Sequence, residues 1–181
     1  KSPETLKYDP IKRTLGKVFN TTPALRILFY KLLDLLLLRT WYVKRVLRKW
    51  ITDHPGERMV LDAGSGFGQY TWFISGMSPF WKVVAVDVKE EQIVDCTRFF
   101  ERAGRRNVRF EMADLTTYVQ NDTYDFILSV DVMEHIAEDE QVFTNLCRSM
   151  KSGGMLLIST PSDQGGSDVH DHDEEESFIE E

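Results

Sequence analysis

The spacing of apolar side chains predicts helices in the first third of the chain. Residues 24–38 are rich in leucine, and their polar side chains fall within an arc of about 140° on a helical wheel. The members of that arc are Arg26, Tyr30, Lys31 and Asp34. The pattern predicts an amphipathic helix with a wide apolar face, which Pro23 starts and Thr21 or Thr22 caps.

A second helix is predicted over residues 41–50. Its apolar positions follow the i, i+3, i+4, i+7 rule and are Val43, Val46, Leu47 and Trp50. Its basic side chains are predicted to face water and are Lys44, Arg45, Arg48 and Lys49. The His54-Pro55-Gly56 sequence ends this helix.

From residue 58 onward, short apolar runs alternate with helical segments. The predicted strands are 58–63, 82–88, 108–112, 124–130 and 155–160, and the predicted helices are 69–77, 90–103 and 137–150. Strands that alternate with helices form parallel sheets with right-handed crossovers. We therefore predict an α/β fold with a doubly wound parallel sheet in the order 3-2-1-4-5, preceded by N-terminal helices.

A glycine cluster follows the first predicted strand. The spacing Gly64-x-Gly66-x-Gly68 is one residue shorter than the G-x-G-x-x-G spacing of dinucleotide sites. Asp62 stands two residues before the first glycine, where its charge would repel a pyrophosphate. It suits a ligand that carries an ammonium and a sulfonium group, such as S-adenosylmethionine. A purely structural turn is the alternative.

Two further acids end the next predicted strands. Asp87 lies 21 residues beyond Gly66, where a carboxylate can accept hydrogen bonds from both hydroxyls of a ribose. Asp114 follows the third strand, where a carboxylate can accept a hydrogen bond from an adenine amino group.

The run from Asp62 to Val130 resembles the class I S-adenosylmethionine-dependent methyltransferases, and the likeness extends over residues 57–161. VLDAGSGFG resembles their first motif, VVAVDV the second, and MADL and YDFILSVDVMEHI the third and fourth. The segment around His135 is similar to one found in small-molecule O- and C-methyltransferases, including the ubiquinone and menaquinone pathway group. The resemblance implies a Rossmann-like fold, S-adenosylmethionine as cofactor, and methyl transfer to a small-molecule acceptor, including apolar or lipid-like ones. A cofactor-binding module without turnover is the alternative.

The resemblance also implies roles for single residues. The cofactor-binding residues that it implies are Asp62, Gly64, Gly66 and Gly68 around the methionine moiety, Asp87 on the ribose, Val88 beside the adenine, Asp114 with Leu115 at the adenine amino group, and Ser129 near the methionine end.

The acceptor side centres on His135, which we predict to be the catalytic base. The alternatives are that His135 only shapes the cofactor pocket, or that it forms a metal site with Asp131 and Glu134. His170 and His172 offer another base, if the segment after the fifth strand passes over the acceptor. We predict no metal.

Charge is distributed unevenly along the chain. Residues 1–50 contain 12 Lys and Arg against 3 Asp and Glu, whereas residues 51–181 contain 10 against 26. The acidic part disfavours nucleic acid as a partner. The basic leucine-rich part has three candidate roles, which are packing on the sheet or a subunit partner, covering the acceptor pocket, and peripheral membrane contact through residues 24–50. The oligomeric state stays open.

The expected organisation is an N-terminal helical cap over 1–56, a cofactor-binding domain over 57–161, and an acidic segment over 162–181. The family sheet ends in an antiparallel hairpin for which we find no sequence after Thr160, so we expect the chain to be truncated. Two cysteines without paired spacing, and no secretory signal, indicate a cytoplasmic protein.

Overall fold

The computed structural model describes residues 22–36 and 38–160. Its helices are α1 (Pro23–Leu36), α2 (Leu38–Asp53), α3 (Gln69–Met77), α4 (Glu90–Arg102) and α5 (Asp139–Ser149). Its strands are β1 (Arg58–Ala63), β2 (Trp81–Asp87), β3 (Val108–Met112), β4 (Tyr124–Val130) and β5 (Met150–Ser159), and a 3-10 helix spans Met133–His135. The predicted segment 162–181 lies outside the described residues.

The five strands form one sheet in the order β3-β2-β1-β4-β5, and each neighbouring pair is parallel. This confirms the predicted fold class and strand order. The carboxyl ends of all strands therefore meet at one edge of the sheet, where doubly wound folds bind their ligands.

Two apolar clusters cover the two faces of the sheet, because neighbouring residues of a strand point to opposite sides. Helices α2 and α3 cover one face, and the buried members of that cluster are Val43, Leu47, Trp50, Val60, Ile74, Trp81, Val83, Phe126 and Leu128. Helix α5 lies on the other face, with Leu61, Ala63, Val84, Val86, Leu115, Tyr124, Ile127, Val142 and Leu146. Helix α2 thus contributes buried side chains to the main hydrophobic core.

Helix α1 is amphipathic as predicted, but its polar arc is the side that packs on the domain. The side chains of Arg26 and Tyr30 are only 3% and 2% exposed, whereas Leu35 is 81% exposed. Thr22 caps the helix, since its Oγ1 accepts a hydrogen bond from the backbone N–H of Leu25. Polar groups are buried here because the loop below the helix offers them acceptors.

The prediction that Lys44 faces water is wrong. Its side chain is buried, and the ammonium lies 2.5 Å from the Asp34 carboxylate and 4.7 Å from the centre of the Phe73 ring. A buried ammonium is tolerated when a carboxylate of a neighbouring helix pairs with it.

The predicted boundary between the last helix and the fifth strand is also wrong. Strand β5 begins at Met150, five residues before the predicted start at Met155. Tyr124 pairs with Met150 and Phe126 pairs with Met155, so the residues between them form an irregularity in the strand. Gly153 has a φ of +76° there, which shows why the glycines permit a bulge instead of ending a helix. The other predicted helix and strand boundaries differ from the observed ones by up to three residues.

No helix among the described residues is both long enough and apolar enough to cross a bilayer.

Candidate functional site

The three glycines after β1 all have a left-handed backbone. Their φ angles are +83° at Gly64, +50° at Gly66 and +75° at Gly68, a region that side chains other than glycine rarely adopt. A Cβ on Gly64 would overlap with the side chain of Val132, which follows β4. The loop after β1 therefore lies directly against the segment after β4.

Four amide groups of this loop donate hydrogen bonds to the protein itself. The N–H groups of Gly64 and Ser65 donate to the carbonyl of Val86 at 2.9 Å, and Gly68 N–H donates to Ser65. Gly66 N–H donates to Asp87 Oδ2 at 2.9 Å. A pyrophosphate site needs free amides at this position. The loop thus argues against a dinucleotide, as the glycine spacing does.

Asp62 lies under the loop, with a side chain that is 3% exposed. Thr71 of α3 donates a hydrogen bond to its carboxylate. Burial raises the pKa of Asp62 to about 6, the Thr71 hydrogen bonds oppose this shift, and the charge of Asp87 adds to it. The chain therefore keeps a buried carboxylate beneath the glycine loop with a single neighbouring residue as its hydrogen-bond partner.

Asp87 ends β2 in a half-buried position. Its Oδ2 accepts from Gly66 and its Oδ1 accepts from the backbone of Lys89 at 2.9 Å. A carboxylate oxygen has two lone pairs, so each oxygen can accept a further hydrogen bond. The next side chain, Val88, is 59% exposed and presents an apolar surface beside this carboxylate.

Asp114 is exposed after β3. Hydrogen bonds from the backbone and side chain of Thr116 lower the pKa of Asp114, so the carboxylate stays ionised. The neighbouring Leu115 is buried in the core, and its carbonyl accepts from Asn145 at 3.0 Å. Leu115 thus anchors the loop after β3 to the hydrophobic core and to α5.

Two buried hydroxyls lie close to this edge without a hydrogen-bond partner. They belong to Ser65, in the glycine loop, and Ser129, the next-to-last residue of β4. Among the residues that the structure describes, these are the only buried side-chain oxygens or nitrogens left unpaired. Unpaired buried polar groups are costly, so each of these hydroxyls retains the capacity to bond a water or a ligand.

The segment after β4 carries the predicted base. Residue Asp131 has a φ of +56° and forms an ion pair with Arg39 of α2. His135 ends the 3-10 helix and is exposed, as is Glu134. Within residues 22–36 and 38–160, no three acids, histidines or cysteines lie close enough together to hold a metal ion. His170 and His172 lie outside the described residues.

The sequence reasoning missed the contact between α1 and the glycine loop. Arg26 Nη2 donates to the Phe67 carbonyl at 2.9 Å, and the Tyr30 hydroxyl donates to the same carbonyl. Arg26 also contacts the Cys96 sulfur at 2.9 Å, and burial raises the pKa of that thiol to about 12. The i, i+4 spacing of Arg26 and Tyr30 on the polar arc was the only available signal.

The comparisons with known proteins agree with this geometry. The model of a family described as "Methyltransferase domain" matches residues 54–179, which is more than half of the chain. The chain belongs to this methyltransferase domain family. The match covers the glycine loop and the acids of the candidate site, which are Asp62, Asp87, Asp114, Asp131 and Glu134.

Three proteins illustrate the likeness of this methyltransferase domain to known proteins. The human mitochondrial ubiquinone biosynthesis O-methyltransferase is 26% identical over 132 residues, which cover 68% of this chain and 35% of that enzyme. A S-adenosylmethionine-dependent methyltransferase from Aquifex aeolicus has a TM-score of 0.62 at 24% identity, covering 84% of this chain and 72% of the other. A coclaurine N-methyltransferase solved with N-methylheliamine and S-adenosylhomocysteine has a TM-score of 0.55 at 26% identity, covering 59% and 30%. The chain spans less than half the length of the curated relatives it matches.

Proposed function

We propose that this methyltransferase domain binds S-adenosylmethionine at the glycine loop and transfers its methyl group to a small-molecule acceptor. The observation that carries the proposal is the bond between Gly66 N–H and Asp87, which joins the glycine loop to the acid after β2. Four amides of the loop bond to the protein itself, so the groups that remain for the ligand at this edge are largely carboxylates. Carboxylates suit hydroxyl, amino and ammonium groups and do not suit phosphates.

The residues present fit this cofactor. The oxygens of Asp87 are held in place by two backbone amides and retain acceptor capacity for ribose hydroxyls. The ionised Asp114 is open to an adenine amino group, and Val88 offers an apolar surface to the adenine ring. The unpaired Ser129 hydroxyl and the buried Asp62 carboxylate lie at the ends of β4 and β1, where the methionine moiety would be held. When bound, the cofactor supplies a methyl group activated by positive sulfur.

The acceptor side requires little more than positioning and proton removal. The imidazole of His135 is exposed at the carboxyl edge and can take a proton from an acceptor hydroxyl. The relatives include O- and N-methyltransferases of small molecules, which supports a small acceptor.

Replacing Asp87 by alanine tests the cofactor site. We expect the dissociation constants of S-adenosylmethionine and S-adenosylhomocysteine to rise by at least about 10-fold, because charge-assisted hydrogen bonds are lost. Isothermal titration calorimetry measures this, with NADH as a ligand that should not bind. Glu101→Ala removes an exposed acid from α4 and serves as the matched control. If neither S-adenosyl compound binds to a wild-type protein that melts cooperatively, the proposed function is wrong.

Replacing His135 by glutamine tests the base. With an acceptor that the wild type methylates, we expect kcat to fall by about 100-fold or more, whereas the affinity for S-adenosylmethionine should stay the same. Glu134→Gln changes an exposed neighbour and should keep both. An unchanged kcat in the His135 variant would assign the base elsewhere and leave the proposed cofactor binding intact.

A further inference from the structure

A cluster of apolar side chains is exposed where α1 meets α2. We call it the leucine corner, and its members are Leu28, Leu32, Leu35, Leu36, Leu38, Trp41 and Tyr42. Their exposed fractions range from 44% at Leu32 to 90% at Leu38. A contiguous apolar patch of this kind marks a contact surface far more often than scattered exposed leucines do.

The orientation of both helices is fixed by their buried sides. Helix α1 is held by the bonds of Arg26 and Tyr30 to the glycine loop, and α2 is held by Val43 and Leu47 in the core. Neither helix can turn its exposed apolar face inward without breaking these contacts. The leucine corner is therefore an outer surface of the residues that the structure describes.

Basic side chains border the leucine corner. Along α2, the exposed positions change from Leu38, Trp41 and Tyr42 to Arg45, Arg48 and Lys49 within three turns. Lys31 is exposed on α1 beside the leucines. Asp34, the one acid of α1, is paired with Lys44 and Gln69. An apolar centre with a cationic border is the pattern of helices that lie in the surface of an anionic bilayer.

We propose that the leucine corner docks on the surface of an anionic lipid bilayer, with its leucines and Trp41 at the acyl boundary and the basic border at the lipid phosphates. The excess of acid in residues 51–181 supports this orientation, because an anionic surface repels the rest of the chain. A second copy of the chain fits less well, since two leucine corners facing each other would bring their basic borders together.

Docking would place the methyltransferase site beside the bilayer. Arg39, between Leu38 and Trp41 in the first turn of α2, forms the ion pair with Asp131 after β4. The leucine corner thus adjoins the segment that carries His135. If the proposed function holds, an apolar acceptor can pass from the bilayer to the site over a short path.

Sedimentation of the full chain with lipid vesicles tests the proposal. We expect binding to vesicles of phosphatidylcholine with about a third phosphatidylglycerol, and weak binding to phosphatidylcholine alone. Leu35→Ser/Leu38→Ser should lower the partition coefficient by at least about 10-fold, as should Arg45→Glu/Lys49→Glu. Leu35 and Leu38 are 81% and 90% exposed, so these changes leave the fold intact, which a melting curve verifies.

The matched controls are Phe80→Ser, at an apolar side chain that is 64% exposed before β2, and Lys82→Glu/Arg106→Glu, at exposed bases away from α1 and α2. Both should bind vesicles like the wild type. No binding of the wild type, or equal binding of the leucine variant, would overturn the proposal. A dimer in sedimentation velocity that the leucine variant abolishes would also overturn it in favour of a second copy. Calorimetry with S-adenosylmethionine tests the proposed function separately, because cofactor binding does not depend on whether the protein binds vesicles.

Discussion

Replacing Asp62 by asparagine is expected to stabilise the fold at pH 7 and to weaken S-adenosylmethionine binding. Burial raises the pKa of this carboxyl to about 6 from 3.8, so its ionised form is unfavourable in the folded state. The raised pKa corresponds to a loss of roughly 3 kcal/mol in the free energy of unfolding at neutral pH. We expect the asparagine variant to be more stable than the wild type by roughly 1–3 kcal/mol. The Thr71 hydroxyl can rotate to accept from the new amide. Binding should weaken because the amide no longer attracts an ammonium group.

The pH dependence provides a second readout of the same change. The folded state holds the Asp62 proton more tightly than the unfolded state, so the contribution of this group to stability increases as the pH falls from about 6 towards 3.8. The advantage of the asparagine variant should therefore shrink over that window. Urea unfolding at pH 7.5 and pH 4 measures it.

Asp125→Asn is the matched control with the opposite sign. Partial burial raises the pKa of Asp125, but hydrogen bonds from Met59 N–H and Lys151 outweigh this effect and lower it overall. Its carboxylate therefore stabilises the fold above the ordinary pKa, and the asparagine variant should be less stable at pH 7.5. If both variants lose stability, the Asp62 carboxylate is favourable in the fold and the prediction is wrong.

Replacing Gly64 by alanine is expected to destabilise the domain by roughly 2–5 kcal/mol. Two effects add, because the backbone has a φ of +83° and the new methyl group overlaps with Val132. Relief of that overlap would move the loop after β1 away from the segment after β4, so cofactor binding should be lost as well. Urea unfolding and calorimetry measure the two effects.

Two further variants separate the causes. Gly104 has a φ of +73° with nothing near an added Cβ, so Gly104→Ala reports the backbone cost alone, about 1–2 kcal/mol. Adding Val132→Ala to Gly64→Ala removes the overlap, and a double-mutant cycle should recover part of the loss. Equal destabilisation at Gly64 and Gly104, with no coupling to Val132, would show that the two loops are not in contact.

The strand order of this methyltransferase domain could be predicted because its signals are local. Each strand contains a short apolar run, and the acids and the glycine loop that we proposed for the cofactor lie at or just after the end of such a run. The parallel topology brings these ends to one edge without any knowledge of side-chain packing. The positions of Asp87 and Asp114 at that edge agree with this reasoning.

The side of α1 that packs inward could not be predicted, since periodicity shows that a helix has two faces but not which one is buried. The decision depends on the Phe67 carbonyl, which lies 41 residues beyond Arg26. Likewise, Gly153 reads as a helix end until the pairing of Tyr124 with Met150 is known. Both features depend on contacts between residues distant in sequence.

The burial of α2 has a consequence for dissecting this protein into parts. A fragment that begins at Glu57 would contain every motif of the methyltransferase family but would expose the strand face that Val43, Leu47 and Trp50 cover. It would also leave the Phe67 carbonyl without its two donors. We therefore expect the motif-bearing region not to fold on its own, and we expect chimeras that exchange N-terminal helices between relatives to need the matching sheet surface as well.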